Sequence, residues 1–83
     1  MYLHIGQNWL VPYSDIIGIF QYELLMSSPE FRQPFHRWRV EGRVWGDGDN
    51  AKTVIITDDT LYLSTISANT LLKRVLRQEL QFE

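Results

Sequence analysis

The chain contains no cysteine, so neither a disulfide framework nor a thiolate zinc site can hold it together. Its two histidines, His4 and His36, stand far apart and in no recognised ligand spacing, so no metal site is expected. Nucleotide-binding glycine patterns of the Gly-x-Gly-x-x-Gly and Gly-x-x-x-x-Gly-Lys kinds are missing as well, and no cofactor is expected. No apolar run approaches the roughly 20 residues that a membrane span needs. The amino terminus has no basic segment leading into an apolar stretch, which a secretory signal would show. A cytoplasmic protein that makes no membrane contact is the expectation. The formal net charge of −2 excludes a uniformly basic nucleic-acid binder and leaves a local basic patch open.

Eighty-three residues leave room for one domain, 1–83, which buries only about 60 to 65% of its unfolded surface. With disulfides and metals excluded, the expected supplement to so small a core is another subunit.

The stretch Lys52–Ile66 organises the rest. Two apolar, β-branched runs flank Thr57-Asp58-Asp59-Thr60, the pattern of a β-hairpin. Val54 and Ile56 alternate with Thr53, Ile55 and Thr57; Leu61 and Leu63 alternate with Tyr62, Ser64 and Ile66. Both faces therefore carry apolar side chains, and a sheet covered on at least part of both sides is expected. Upstream, Tyr2–Ile5 and Trp9–Val11 read as a hairpin around Gly6-Gln7-Asn8, with Pro12 confined to a strand end. Ser14-Asp15 marks a turn before a third strand, Ile16–Phe20, in which Gly18 implies a bulge or a close backbone approach.

Ser28-Pro29-Glu30 starts a middle helix, with serine as N-cap and proline at its first position. Pro34 implies that this helix either restarts or kinks. Phe31, Phe35 and Trp38 share one helical face, expected to dock on the sheet, whereas Arg32, Arg37 and Arg39 point elsewhere. Val40, Val44 and Trp45 belong to a further strand, and Gly46–Asn50 is a polar turn. Asp47-Gly48-Asp49-Asn50 resembles the start of a calcium loop, but the ordered acid series and the terminal glutamate are missing. Ser67 caps a last helix running through Leu80, with Leu71, Leu72, Val75, Leu76 and Leu80 as its apolar stripe. Lys73, Arg74, Arg77, Gln78 and Glu79 form its solvated side. The fold class is α+β: a small twisted, mainly antiparallel sheet with a middle helix and a C-terminal helix.

No catalytic grouping is legible, and no enzyme is expected. Asp58 and Asp59 are adjacent, so their side chains diverge and make a poor acid–base pair. From Arg32 to Arg43 there are four arginines, one histidine and a single glutamate, interleaved with Phe35 and Trp38. Such a cluster suits phosphate, which planar guanidinium groups bind through paired donors. Solvation, or pairing with Glu30, Glu41, Asp47 or Asp49, is the alternative use.

Ile5-Gly6, Val11, Asp15-Ile16-Ile17-Gly18-Ile19-Phe20, Ser28-Pro29, Lys52–Asp58, Leu63-Ser64 and Thr70-Leu71 together resemble, in order and spacing, the RemA/RemB-type regulators of extracellular-matrix genes. Asp15 before the paired isoleucines is closer to the RemB-like branch, since the RemA-like branch is basic there. The resemblance implies a fold related to LytTR-type DNA-binding domains, ring-shaped homo-oligomers and transcriptional regulation through double-stranded DNA. RemA-like members carry Gly-Arg-Arg-Thr-Arg before the Val-Ile-Ile strand, where this chain reads Gly48-Asp49-Asn50-Ala51-Lys52. DNA contact would therefore shift to Lys52, Arg43, Arg39 and Arg37. The other reading is a ring-forming interaction protein that acts through a protein partner or a paralogue without touching DNA.

Overall fold

The computed structural model describes residues 1–81, with side chains through Arg77. The side chains expected of Gln78, Glu79 and Leu80 on the two faces of the last helix lie outside the described residues.

The first hairpin joins β1 (Tyr2–His4) to β2 (Leu10–Pro12) and forms a two-stranded sheet of its own. Its turn is tight because Gln7 and Asn8 both take positive φ, 53° and 64°, while Trp9 N–H donates to the Gly6 carbonyl at 2.9 Å. Pro12 ends the strand opposite Tyr2, as its missing donor requires. A 3₁₀ turn over Tyr13–Asp15 leads to the main sheet. That sheet has strand order β3-β5-β6-β4, with β3 at Gly18–Gln21, β4 at Val44–Trp45, β5 at Thr53–Ile56 and β6 at Leu61–Ser64. The β3–β5 and β5–β6 pairs are antiparallel, and β4 joins β6 in parallel.

The expected bulge at Gly18 is absent, because Gly18 to Gln21 pair without interruption to Ile56 through Thr53. Gly18 instead makes room for a side chain. A Cβ there would fall 2.4 Å from the Phe20 ring, which lies back over the strand.

Alternation in the β5–β6 hairpin produces two cores, one on each face. Ile55 joins Leu3, Ile5, Val11 and Leu71 under the first hairpin and the last helix, α3 (Ala68–Gln81). Val54, Leu61 and Leu63 pack on the other side against Leu25, Phe31, Phe35 and Trp38. Those residues come from two helices, α1 (Tyr22–Met26) and α2 (Pro29–Val40). Helix α1 has no capping side chain, and no sequence signal announced it. Helix α2 runs unbroken through Pro34, contrary to a restart. The carbonyl deprived of its donor belongs to exposed Glu30, where water can satisfy it, and the proline ring helps line an apolar groove of about 140 Å³ with Phe31, Phe35 and Trp38.

Buried hydroxyls fasten the layers together. Ser64 Oγ donates to the Ile5 carbonyl at 2.7 Å and accepts from Ile66 N–H at 3.0 Å. Thr53 Oγ1 donates to the Ile66 carbonyl at 2.6 Å. Ser67 caps α3 as expected, its Oγ accepting from Thr70 N–H at 3.2 Å. Arg74, expected on the solvated side of α3, is half-buried and donates from Nη1 to the His4 carbonyl at 2.7 Å, tying α3 to β1.

Candidate nucleic-acid interface

Helix α2 begins as its sequence implies, with Ser28 as N-cap and Pro29 in the first turn. The serine hydroxyl does not cap the backbone. It donates to Glu30 Oε2 at 2.8 Å, and this bond, followed by one from the Glu30 backbone, lowers the carboxyl pKa from its ordinary 4.5. The other end closes as a Schellman motif. Arg43 N–H donates to the Trp38 carbonyl at 2.9 Å, Gly42 N–H to that of Arg39 at 3.1 Å, and Gly42 takes φ 77°. The residue that usually makes the apolar contact of this motif is Arg43. Its guanidinium lies over the Trp38 ring, 5.6 Å from the centroid, with Nε 3.2 Å from Glu41 Oε1.

Arg39 turns the other way along the helix. Its guanidinium stacks on the Phe35 ring at 5.0 Å and reaches the loop before β5, where a Cβ on Gly48 would fall 3.9 Å from Nη2 and 3.1 Å from the Tyr22 hydroxyl. Arg37 is exposed, and among the described residues no carboxylate pairs with it.

Lys52 is fixed through its backbone, and among the described residues no carboxylate pairs with its ammonium. Its N–H donates to the Ser64 carbonyl at 2.8 Å, and its carbonyl accepts from Tyr22 N–H at 3.0 Å. The exposed side chain borders a polar depression of about 320 Å³ shared with Gln21, Glu23, Ser67 and Asn69, beside the start of α3.

The four cations do not converge. Leu61 N–H donates to the Arg43 carbonyl, which puts Arg43 at the start of β6, whereas Lys52 lies beside Ser64 at its end. Three residues of strand separate those positions, roughly 10 Å. Arg39 and Lys52 share one end of the sheet through the intervening loop. That loop also carries exposed Asp47 and Asp49, with Asp47 Oδ1 accepting from Asp49 N–H at 2.9 Å. Of the carboxylates near the arginine cluster, Glu41 alone forms an ion pair among the described residues. Tyr22, whose N–H holds the Lys52 carbonyl and whose hydroxyl lies close to Gly48, carried no functional signal in sequence because both neighbours lie more than 25 residues downstream.

These elements define a small α+β protein in which Arg37 and Arg39 stand on α2, Arg43 in the turn that ends it and Lys52 just before β5. Among the described residues no helix is long and apolar enough to cross a membrane. The chain belongs to the RemA-like family, described as extracellular matrix regulatory protein A-like, which matches residues 2–75. It is 31% identical over 74 residues to extracellular matrix regulatory protein B of Bacillus subtilis (strain 168), covering 89% of this chain and 89% of that protein.

Proposed function

We propose that this chain is a homo-oligomeric, cytoplasmic transcriptional regulator of extracellular-matrix and biofilm genes, with a fold related to LytTR-type DNA-binding domains. It contacts the backbone of double-stranded DNA through Lys52, Arg39 and Arg37. Arg43 contributes less, since Trp38 and Glu41 already engage its guanidinium. Membership of the RemA-like family, over residues 2–75, is the observation that carries this reading. Few cations per subunit give weak binding alone, but a ring repeats them, and after the first contact the others become intramolecular. Fluorescence anisotropy with duplex DNA at low salt, on protein whose assembly has been verified by light scattering, tests it. An assembled protein that leaves the duplex free contradicts it.

One observation favours a second reading, a ring-forming interaction protein without direct DNA contact. Asp47 and Asp49 stand in the loop between Arg39 and Lys52, where they would repel phosphate. That reading expects an assembled Lys52→Ala variant to keep full regulatory function in cells; the DNA-binding reading expects loss.

A further inference from the structure

Helix α2 carries two flanks of different charge. Along one of them Arg32, His36 and Arg39 follow at steps of four and three residues, with no carboxylate among them, and Arg39 points from there toward Gly48 and Tyr22. Along the other run Glu30, Pro34, Arg37 and, at the helix end, Glu41. Pro34 belongs to the wall of the apolar groove of about 140 Å³, so this second flank is the groove's helical rim.

Sheet residues close the groove from the other side. Ile56 is the last residue of β5 and Leu61 the first of β6, and both line it together with half-buried Phe31, Phe35 and Trp38. The turn between those strands holds Asp58 and Asp59, both exposed, and forms the opposite rim. Asp59 is oriented there, its Oδ1 accepting from the Thr60 hydroxyl at 3.0 Å. Glu30, Glu41, Asp58 and Asp59 therefore stand around the opening against Arg37 and Arg43. Arg43 is already engaged by Trp38 and Glu41, so the rim is acidic while the lining is apolar.

We propose that this groove docks a basic amphipathic segment of a partner protein, with one aromatic or leucine side chain seated against Phe31, Pro34 and Trp38 and lysine or arginine on either side of it. The volume sets the anchor. Cavities of roughly 150 Å³ lined by comparable side chains take up one benzene, so the groove holds one such side chain and no more. The rim sets the charge, since its carboxylates favour cationic neighbours of the anchor and disfavour nucleic acid and acidic peptides. Of the cations proposed to meet DNA, Arg39 and Lys52 lie away from this opening: Arg39 is on the other flank of α2, and Lys52 stands beside Ser64, at the far end of β6 from Leu61. The inference goes beyond the proposed function and needs neither DNA contact nor assembly.

Anisotropy of labelled synthetic peptides titrated with the whole chain tests it, with methyl NMR of Ile56 and Leu61 to locate the contact. The probe is a capped peptide with one phenylalanine flanked by lysines on both sides. One control replaces the lysines with glutamates, the other the phenylalanine with glycine. The probe should shift both methyl signals and bind about tenfold tighter than either control, more so at low salt. Asp58→Lys should weaken it about threefold, and Pro34→Lys, which puts a helix-compatible cation into the groove wall, about tenfold. A probe that does not bind, or that binds Asp58→Lys and Pro34→Lys as well as wild type, overturns the inference. A glycine control equal to the probe reduces the contact to charge alone, and a glutamate control equal or better assigns the groove to another kind of partner; both overturn it. Methyl signals that move with duplex DNA, or with protein concentration alone, give the groove to nucleic acid or to a second copy and overturn it as well.

Discussion

Arg43 lies across the face of Trp38 and within 3.2 Å of Glu41, so the last cation of the arginine cluster serves the end of its own helix. Replacing it with alanine should cost about 0.5 to 1.5 kcal/mol, most of it from the cation–π contact, since the ion pair is about half exposed and screened by solvent. Thermal unfolding would show this as a fall of several degrees in Tm. Lys52→Ala should leave Tm nearly unchanged and reduce the salt slope of DNA binding by about 0.9 for each phosphate that Lys52 neutralises. The pair of variants separates a structural cation from a binding one.

Gly46 takes φ 113°, and a Cβ there would lie 2.5 Å from the Leu63 carbonyl oxygen, so β4 can approach β6 only at glycine. Gly46→Ala should destabilise by about 2 to 4 kcal/mol, through strain and disruption of the parallel pair. Gly42 has φ 77° with open space around it, and Gly42→Ala should cost only about 1 kcal/mol. Chemical denaturation of both variants checks the ranking.

Ser64 is buried and joins the main sheet to the first hairpin through the Ile5 carbonyl. Ser64→Ala leaves that carbonyl and the Ile66 amide without this partner, at a cost of about 1 to 3 kcal/mol. Hydrogen exchange should show the Ile66 amide losing protection first.

The Ser28 hydroxyl holds the Glu30 carboxyl below its ordinary pKa of 4.5. A depressed folded-state pKa contributes stability above the unfolded value, and that contribution is lost as pH falls through the folded value. Ser28→Ala should move the Glu30 titration toward 4.5, read by carboxyl carbon NMR, and reduce the acid-side dependence that this group contributes, leaving the part due to the Glu30 backbone bond.

The β5–β6 hairpin and the two-sided burial around it were legible because strict alternation assigns each side chain to a face: Val54 and Leu63 to one core, Ile55 to the other. Ser67 was legible as a cap because capping is local. What sequence missed is non-local or decided by packing. The parallel pairing of β4 with β6 joins Val44 to Leu61, with no turn to announce it. Arg74 reads as one more solvated cation until the chain brings His4, 70 residues away, to its guanidinium. Pro34 reads as a helix breaker because its missing donor is visible in sequence, whereas the exposure of Glu30 and the aromatic face docked on the sheet are not. In the cation set, residue types showed the charge and the fold decided its use. Arg43 is engaged, Arg37 and Lys52 are free among the described residues, and Arg39 stands against an acidic loop.

DNA contact is the central claim, and its most direct measurement is the affinity of the assembled protein for duplex DNA across a salt series. Binding is expected at about 50 mM salt, falling linearly on logarithmic axes with a slope that reports several phosphates per assembly and is reduced by Lys52→Ala. Absence of binding at that salt by protein of verified oligomeric mass would contradict it.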